Sequence, residues 1–275
     1  MRLDSHQHFW KYDAEEYAWT GGPESPISRD FGPGQLKPLL EAAGFDGTVA
    51  VQARTSLAEN DYLLQLADEH DFIKGVVGWV DLTAPDAAEQ LAKYAKHPKF
   101  KGVRHIVQSE PDDRFLLRDD FCRGVALLAD FGLTYDILIY HRHLPAAIEF
   151  VRRFPNQKFV VDHIAKPDIK NGLREPWTGH IRELASFPNV MCKISGMVTE
   201  ADHANWTEDD IRPYLGTALS AFGPERVMFG SDWPVCLLAA EYAKVAALVE
   251  RATQHWSAAD RERLFGGNCA AFYGI

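Results

Sequence analysis

A single (β/α)8 barrel is the architecture that the sequence predicts, and three observations predict it. Eight short runs rich in Val, Ile and Phe recur with centres about 32 residues apart, one βα unit each. Stretches with apolar residues at helical intervals of three and four fill the gaps. No low-complexity tract, linker or shift of composition divides the chain, so the alternation reads as one α/β domain over residues 1–275. An open doubly wound sheet usually carries a glycine-rich first βα turn. Here that turn reads HFWKYD, with no GxGxxG or Walker motif.

The runs, in order, are RLDSHQHF, GTVAVQA, IKGVVGWVDL, KGVRHI, LTYDILIY, KFVVDHIAKP, NVMCKISG and RVMFGSDWP. Their apolar character suits parallel strands buried on both faces. Helical periodicity covers 55–70, 120–130, 144–154, 177–187, 209–222 and 239–253. Gly132 after Phe131 reads as a helix stop, and Pro155 and Pro188 each follow a helix.

Composition bounds the function. With 46% apolar and 25% charged residues the chain is an ordinary globular protein, neither disordered nor fibrous. No apolar run approaches the roughly 18 residues of a membrane span. The N-terminal MRLDSHQHFW places Asp4, His6 and His8 where a signal peptide needs an apolar stretch, so a cytoplasmic location is expected. The net charge of −10 counts against a nucleic-acid partner. Cys122, Cys192, Cys236 and Cys269 form no CxxC pair and read as reduced thiols.

Barrel enzymes build their sites at the C-terminal ends of the strands, and polar residues collect there. The first strand delivers His6 and His8, two apart and hence on one face. The sixth is apolar until it delivers His163, and the eighth delivers Asp232 in the same way. Three imidazoles and a carboxylate can bind one divalent metal, such as zinc, or poise a water. The fourth strand ends in Arg104-His105, which can stabilise an oxyanion, because guanidinium stays charged. Lys193 in the seventh strand reads either as a contact to substrate or Asp232, or as an ion pair with Asp136. Trp10, Trp79, Trp206 and Trp233 lie near strand ends and read as stacking platforms for a ligand or as core, with Gln52, Arg54, Asp162 and Lys166 as further polar contacts.

HxH on strand one, His on strand six and Asp on strand eight resemble the amidohydrolase superfamily, from Arg2 to the terminal GNCAAFYGI. Its binuclear members carry a bridging Lys or Glu at strand four, where this chain has Gly102-Val103-Arg104-His105. No histidine lies on strand five; His141 and His143 follow it, in a segment expected to open the next helix. A two-metal site is therefore not expected, and a first-shell arginine disfavours even one cation. A single zinc on His6, His8, His163 and Asp232 stays open, but is not required. DSHQHFW, GVRH, DHIAKP, CKISGMVTEAD, FGSDWPVC and GNCAAFY are similar to the sugar-lactonase branch, the L-fuconolactonases and L-rhamnonolactonases. The resemblance implies hydrolysis of a neutral sugar lactone to its aldonic acid in carbohydrate metabolism, with L-fucono-lactone foremost. Asp232 would be the base, His163, His6 and His8 its support, and Arg104 and His105 the oxyanion stabilisers. A zinc-dependent decarboxylase of the same superfamily and a non-catalytic sugar-binding barrel are the alternatives. Oligomeric state is not readable from these patterns.

Overall fold

The computed structural model describes residues 1–275. Eight parallel strands pair in chain order: β1 (Leu3–Gln7), β2 (Gly47–Val51), β3 (Ile73–Gly78), β4 (Phe100–Ile106), β5 (Thr134–Leu138), β6 (Phe159–Val161), β7 (Val190–Ile194) and β8 (Val227–Phe229). Each is followed by a helix on the outside: α1 (Pro33–Ala42), α2 (Leu57–Glu69), α3 (Ala87–Tyr94), α4 (Asp119–Ala126), α5 (Leu144–Arg153), α6 (Trp177–Ala185), α7 (Glu208–Phe222) and α8 (Tyr242–Ala252). The fold is the (β/α)8 barrel that the alternation predicts. Every strand lies where a β-run was read, though β6 and β8 keep only three residues each, because both turn sharply just before their functional side chain. Gly132 stops the helical segment after α4 in the left-handed conformation, φ +66°.

Closure between β8 and β1 is made by the segment beyond β8. The Asp232 amide donates to the His6 carbonyl at 2.8 Å, and the His8 amide to the Trp233 carbonyl at 2.7 Å. The two outermost site residues are thus tied together by the bonds that close the barrel. On the opposite side, α9 (Ala258–Glu262) leads to α10 (Asn268–Tyr273). Cys269, Phe272 and Tyr273 of α10 pack with Leu3, Val49, Val77 and Met228 and plug the barrel floor.

Between Asp4 and Gln7 the β1–β2 register shifts: three steps of β1 face two of β2. Such a bulge changes the phase of the alternation. Leu3 therefore packs on the barrel interior while His6 and His8, at even positions, also turn inward.

Above the floor the barrel is filled with charge. Asp136, Asp162 and Lys193 are wholly buried, and Arg104 nearly so. Lys193 Nζ lies 2.5 Å from Asp136 Oδ2 and 3.1 Å from Asp162 Oδ1, and Arg104 Nη1 donates to Asp162 Oδ2 at 3.0 Å. The Tyr273 hydroxyl donates to Asp136 Oδ2 at 2.8 Å, so α10 contributes to the same network. Each buried charge has an opposite partner, as burial demands.

Candidate active site

At the C-terminal mouth, His6 Nε2 and His8 Nε2 lie 3.2 Å apart. Asp232 Oδ1 is 3.3 Å from His8 Nε2 and 3.8 Å from both His6 Nε2 and His163 Nε2. All four side chains are buried, and three of them line a cavity of about 350 Å³. Second partners orient the rings. His8 Nδ1 donates to the Val51 carbonyl at 2.8 Å, and His163 Nδ1 is bonded to Ser195 Oγ at 2.8 Å. The carbonyl can only accept, so neutral His8 keeps its lone pair on Nε2, where it can accept from a donor in the site.

Backbone strain holds two of these groups. His163, Ile164, Ala165 and Lys166 all have positive φ, from 45° to 60°, and Asp232 has φ +59°. L-residues reach this region at a cost of about 1–2 kcal/mol each. Gly196 makes the room: its own φ is +67°, and a Cβ there would stand 2.6–2.7 Å from His163 Cβ, Cγ and Nδ1. Gly196→Ala is expected to push His163 off its position, costing about 1–3 kcal/mol of stability and at least about 10-fold in kcat/KM. Parallel melting and kinetic measurements check this, and an unchanged kcat/KM would mean that the position of His163 does not matter.

Burial drives the pKa of His6 well down, helped by Lys193 and Arg104, and drives His163 well down against the pull of Asp232. Burial also lowers His8. Burial opposes the charge on Asp232, yet His163, His8 and Lys166 outweigh it and hold its pKa below the usual carboxylate value. At neutral pH the cluster is one carboxylate among neutral imidazoles. Ser195 beside His163 mimics part of a Ser-His-Asp triad, but it is wholly buried and absent from the cavity wall. No hydroxyl on the cavity wall is hydrogen-bonded to one of these imidazoles, which leaves water as the nucleophile.

The donor set fits one divalent ion. A tetrahedral ion at about 2.0–2.1 Å from its ligands would separate them by about 3.3 Å, and among His6, His8 and Asp232 the distances run from 3.2 to 3.8 Å. His6, His8 and Asp232 would hold it, with His163 Nε2 3.8 Å from Asp232 Oδ1 but outside that cluster. No carboxylate bridges from β4, whose inward residue is Arg104. Its Nη1 stands 3.2 Å from His6 Nε2.

Arg104 is clamped by Gln52, whose Oε1 accepts from Nε at 2.9 Å and whose backbone carbonyl accepts from Nη2. Of five guanidinium N–H groups, one on Nη2 is left without a protein acceptor, and the side chain lines the cavity. Gln52 itself stays behind Arg104 and positions it. Lys166 is on the cavity wall, 3.6 Å from Glu200 Oε1.

Several expected contacts lie elsewhere. His105 does not join Arg104, because neighbours on a strand face opposite ways. Its ring stacks on Phe115 at 4.8 Å, accepts from Trp79 Nε1 at 3.1 Å and bonds Glu110 at 2.7 Å, which takes Trp79 out of the site as well. Trp10 and Trp233 are buried in an aromatic cluster around Phe31, and Trp206 donates to the Ala239 carbonyl at 2.9 Å. Asp136 and Lys193 pair with each other beneath His6 and touch no open space, so the ion-pair reading describes them. Sequence reasoning missed Trp19, Gln108, Tyr140, Glu200 and His203 on the cavity wall. Trp19 is 48% exposed, in a stretch whose sequence carries no periodic signal. A larger groove, about 670 Å³, runs outside between α7 and α8, remote from every strand end.

A barrel whose mouth sets an ionised aspartate among neutral imidazoles, with no cavity hydroxyl hydrogen-bonded to any of them, is the framework of an enzyme that activates water. The family profile described as amidohydrolase matches residues 3–275, and the chain belongs to that family. It is 45% identical to an L-fucono-1,5-lactonase of Burkholderia multivorans (strain ATCC 17616 / 249), over all of this chain and 96% of that one. It is 39% identical to an L-fucono-1,5-lactonase of Burkholderia ambifaria, over the same shares. A crystal structure of a Burkholderia multivorans amidohydrolase with bound zinc, 44% identical, superposes with a TM-score of 0.95, covering 100% of this chain and 99% of that one.

Proposed function

We propose that the chain, acting as one domain over residues 1–275, hydrolyses a sugar lactone to the aldonic acid, with L-fucono-lactone its foremost substrate. The observation that carries this is Asp232, ionised and backed by neutral imidazoles, facing a cavity that also holds a guanidinium donor. The two full-length lactonase relatives supply the substrate class.

Asp232 takes a proton from a water that attacks the lactone carbonyl carbon. The free Arg104 N–H stabilises the oxyanion that forms. As the bond from that carbon to the ring oxygen breaks, the Asp232 carboxylic acid returns the proton to the departing oxygen. His8 orients the water through its Nε2 lone pair and His163 through Nε2 on the cavity wall, and Lys166, Glu200 and Trp19 meet the sugar hydroxyls and ring. A divalent ion held by His6, His8 and Asp232 would supply Lewis-acid polarisation. Arg104 brings permanent charge to the same mouth, so lactone opening is expected to survive chelation.

A pH-indicator assay across a panel of sugar lactones, with and without chelator, tests this. Opening of L-fucono-lactone in both conditions supports the proposal; no turnover of any lactone overturns it. Because Asp232 is held below the usual carboxylate range and the imidazoles are neutral, base form is lost only as pH falls through that low value. The kcat/KM profile is therefore expected to be flat from about pH 6 to about pH 8. An inflection inside that window would make an imidazole the base instead.

A further inference from the structure

We propose that Lys166 and Glu200 together recognise two neighbouring hydroxyls of the lactone ring, given that the protein opens a sugar lactone as proposed above. The pair thereby confines the protein to lactones that carry a free vicinal diol.

The two side chains are charged, shielded and short of partners. Both line the cavity, with only 15% and 18% of their side chains exposed. Lys166 Nζ stands 3.6 Å from Glu200 Oε1, just beyond a hydrogen bond, and neither group has another polar partner in the protein. The Tyr140 ring lies 5.4 Å from Lys166 Nζ. Other polar groups on the same wall are engaged. Arg104 is held by Gln52 and Asp162, and His203 Nε2 donates to the Thr199 carbonyl at 2.9 Å. Burial pushes the Glu200 carboxyl above its usual value, and Lys166 pulls it back. An exposed pair at this spacing would contribute little, but a shielded one turns unmet hydrogen-bonding capacity into the cavity.

Both backbones are pinned. The Lys166 amide donates to the His163 carbonyl at 2.8 Å, and the Lys166 carbonyl accepts from His141 Nδ1 at 3.0 Å. The Lys170 amide donates to the Glu200 carbonyl at 2.9 Å, which ties the loop after β6 to the loop after β7. The pair is thus in place before a ligand arrives, which lowers the entropic cost of recognition. Lys166 is also near enough to Asp232 to lower its pKa, so a hydroxyl held by the pair lies beside the reacting carbonyl.

The spacing selects two hydroxyls over one. A single oxygen about 2.8 Å from both atoms would see them at an angle of only about 80°, well below the tetrahedral spread of its donor and lone pairs. Staggered hydroxyls on adjacent carbons hold their oxygens about 2.9 Å apart. One can then accept from the ammonium while the other donates to the carboxylate, both as charge-assisted bonds. In a 1,5-lactone the free ring hydroxyls stand on C2, C3 and C4, so any vicinal pair includes C3.

The test is kcat/KM for L-fucono-1,5-lactone and its 2-, 3- and 4-deoxy forms, in the wild type and in Lys166→Met/Glu200→Leu. The double substitution removes one charge of each sign, and any effect on Asp232 falls on all four substrates alike and cancels in their ratios. In the wild type the 3-deoxy form and one of its neighbours are expected to react at least about 10-fold less well than the parent. In the double variant both penalties are expected to shrink to within about 3-fold, with the ratio for the third form unchanged. Relief of one penalty only would mean that a single hydroxyl is recognised, and equal relief of all three that the pair merely shapes the cavity. Penalties that are absent, or that outlast both substitutions, would put recognition elsewhere. Each of these outcomes overturns the diol inference and leaves the lactonase reading standing. A wild type that opens none of the four overturns that reading, and the inference with it. If the variant fails to melt cooperatively, Lys166→Ala/Glu200→Ala takes its place. If neither folds, the wild-type penalties decide, by falling or not falling on C3 and one neighbour together.

Discussion

Asp232→Asn is expected to lower kcat/KM for lactone opening by at least about 100-fold, the usual contribution of a positioned general base. Asparagine keeps the size of the side chain and leaves the backbone intact, including the bond from the residue 232 amide to the His6 carbonyl that closes the barrel. It removes the charge and with it the ability to take a proton from water. Steady-state kinetics with a melting curve check the prediction. Near wild-type turnover in a folded variant would remove Asp232 from the mechanism.

Arg104→Lys is the second large effect. A lysine retains the charge but not the fork, and the fork does two jobs here. Gln52 and Asp162 hold three of its N–H groups, and the remainder face His6 and the cavity. An ammonium has three hydrogens on one atom and cannot reach both sets. We expect kcat to fall by about 100- to 1,000-fold, as when an oxyanion donor is removed, with a smaller change in KM. The melting temperature should drop as well, because Asp162 loses a buried partner. If kcat is retained, the charge of residue 104 is sufficient and its directional bonds are not used.

The fold was legible because parallel strands buried on both faces announce themselves as apolar runs, and a carboxylate or imidazole at the end of such a run stands out. That logic found His6, His8, His163 and Asp232, and the structure brings all four together. It was applied too loosely at Arg104-His105, where alternation already says that only one of two neighbours can face the barrel. The tryptophans were read by nearness in sequence, yet the path of each loop decides which ring reaches the mouth. Trp19 sits in the aperiodic 11–31 stretch, and Glu200 and Gln108 lie on short helical turns beyond strand ends, where no period announces a face. The charged barrel interior was half visible: Lys193 stood out in its strand, but its pairing with Asp136 and Asp162 depends on three strands arriving at one level.

The left-handed run from His163 to Lys166 carries a consequence for how this sequence can drift. None of its four residues is the glycine or asparagine that such a backbone favours. Random variation screened for heat tolerance alone should therefore accumulate first at Ala165 and Lys166, trading the cavity wall for a relaxed turn. Lineages kept under demand for turnover should retain the awkward residues instead. The turn is a place where selection for durability and selection for catalysis pull apart.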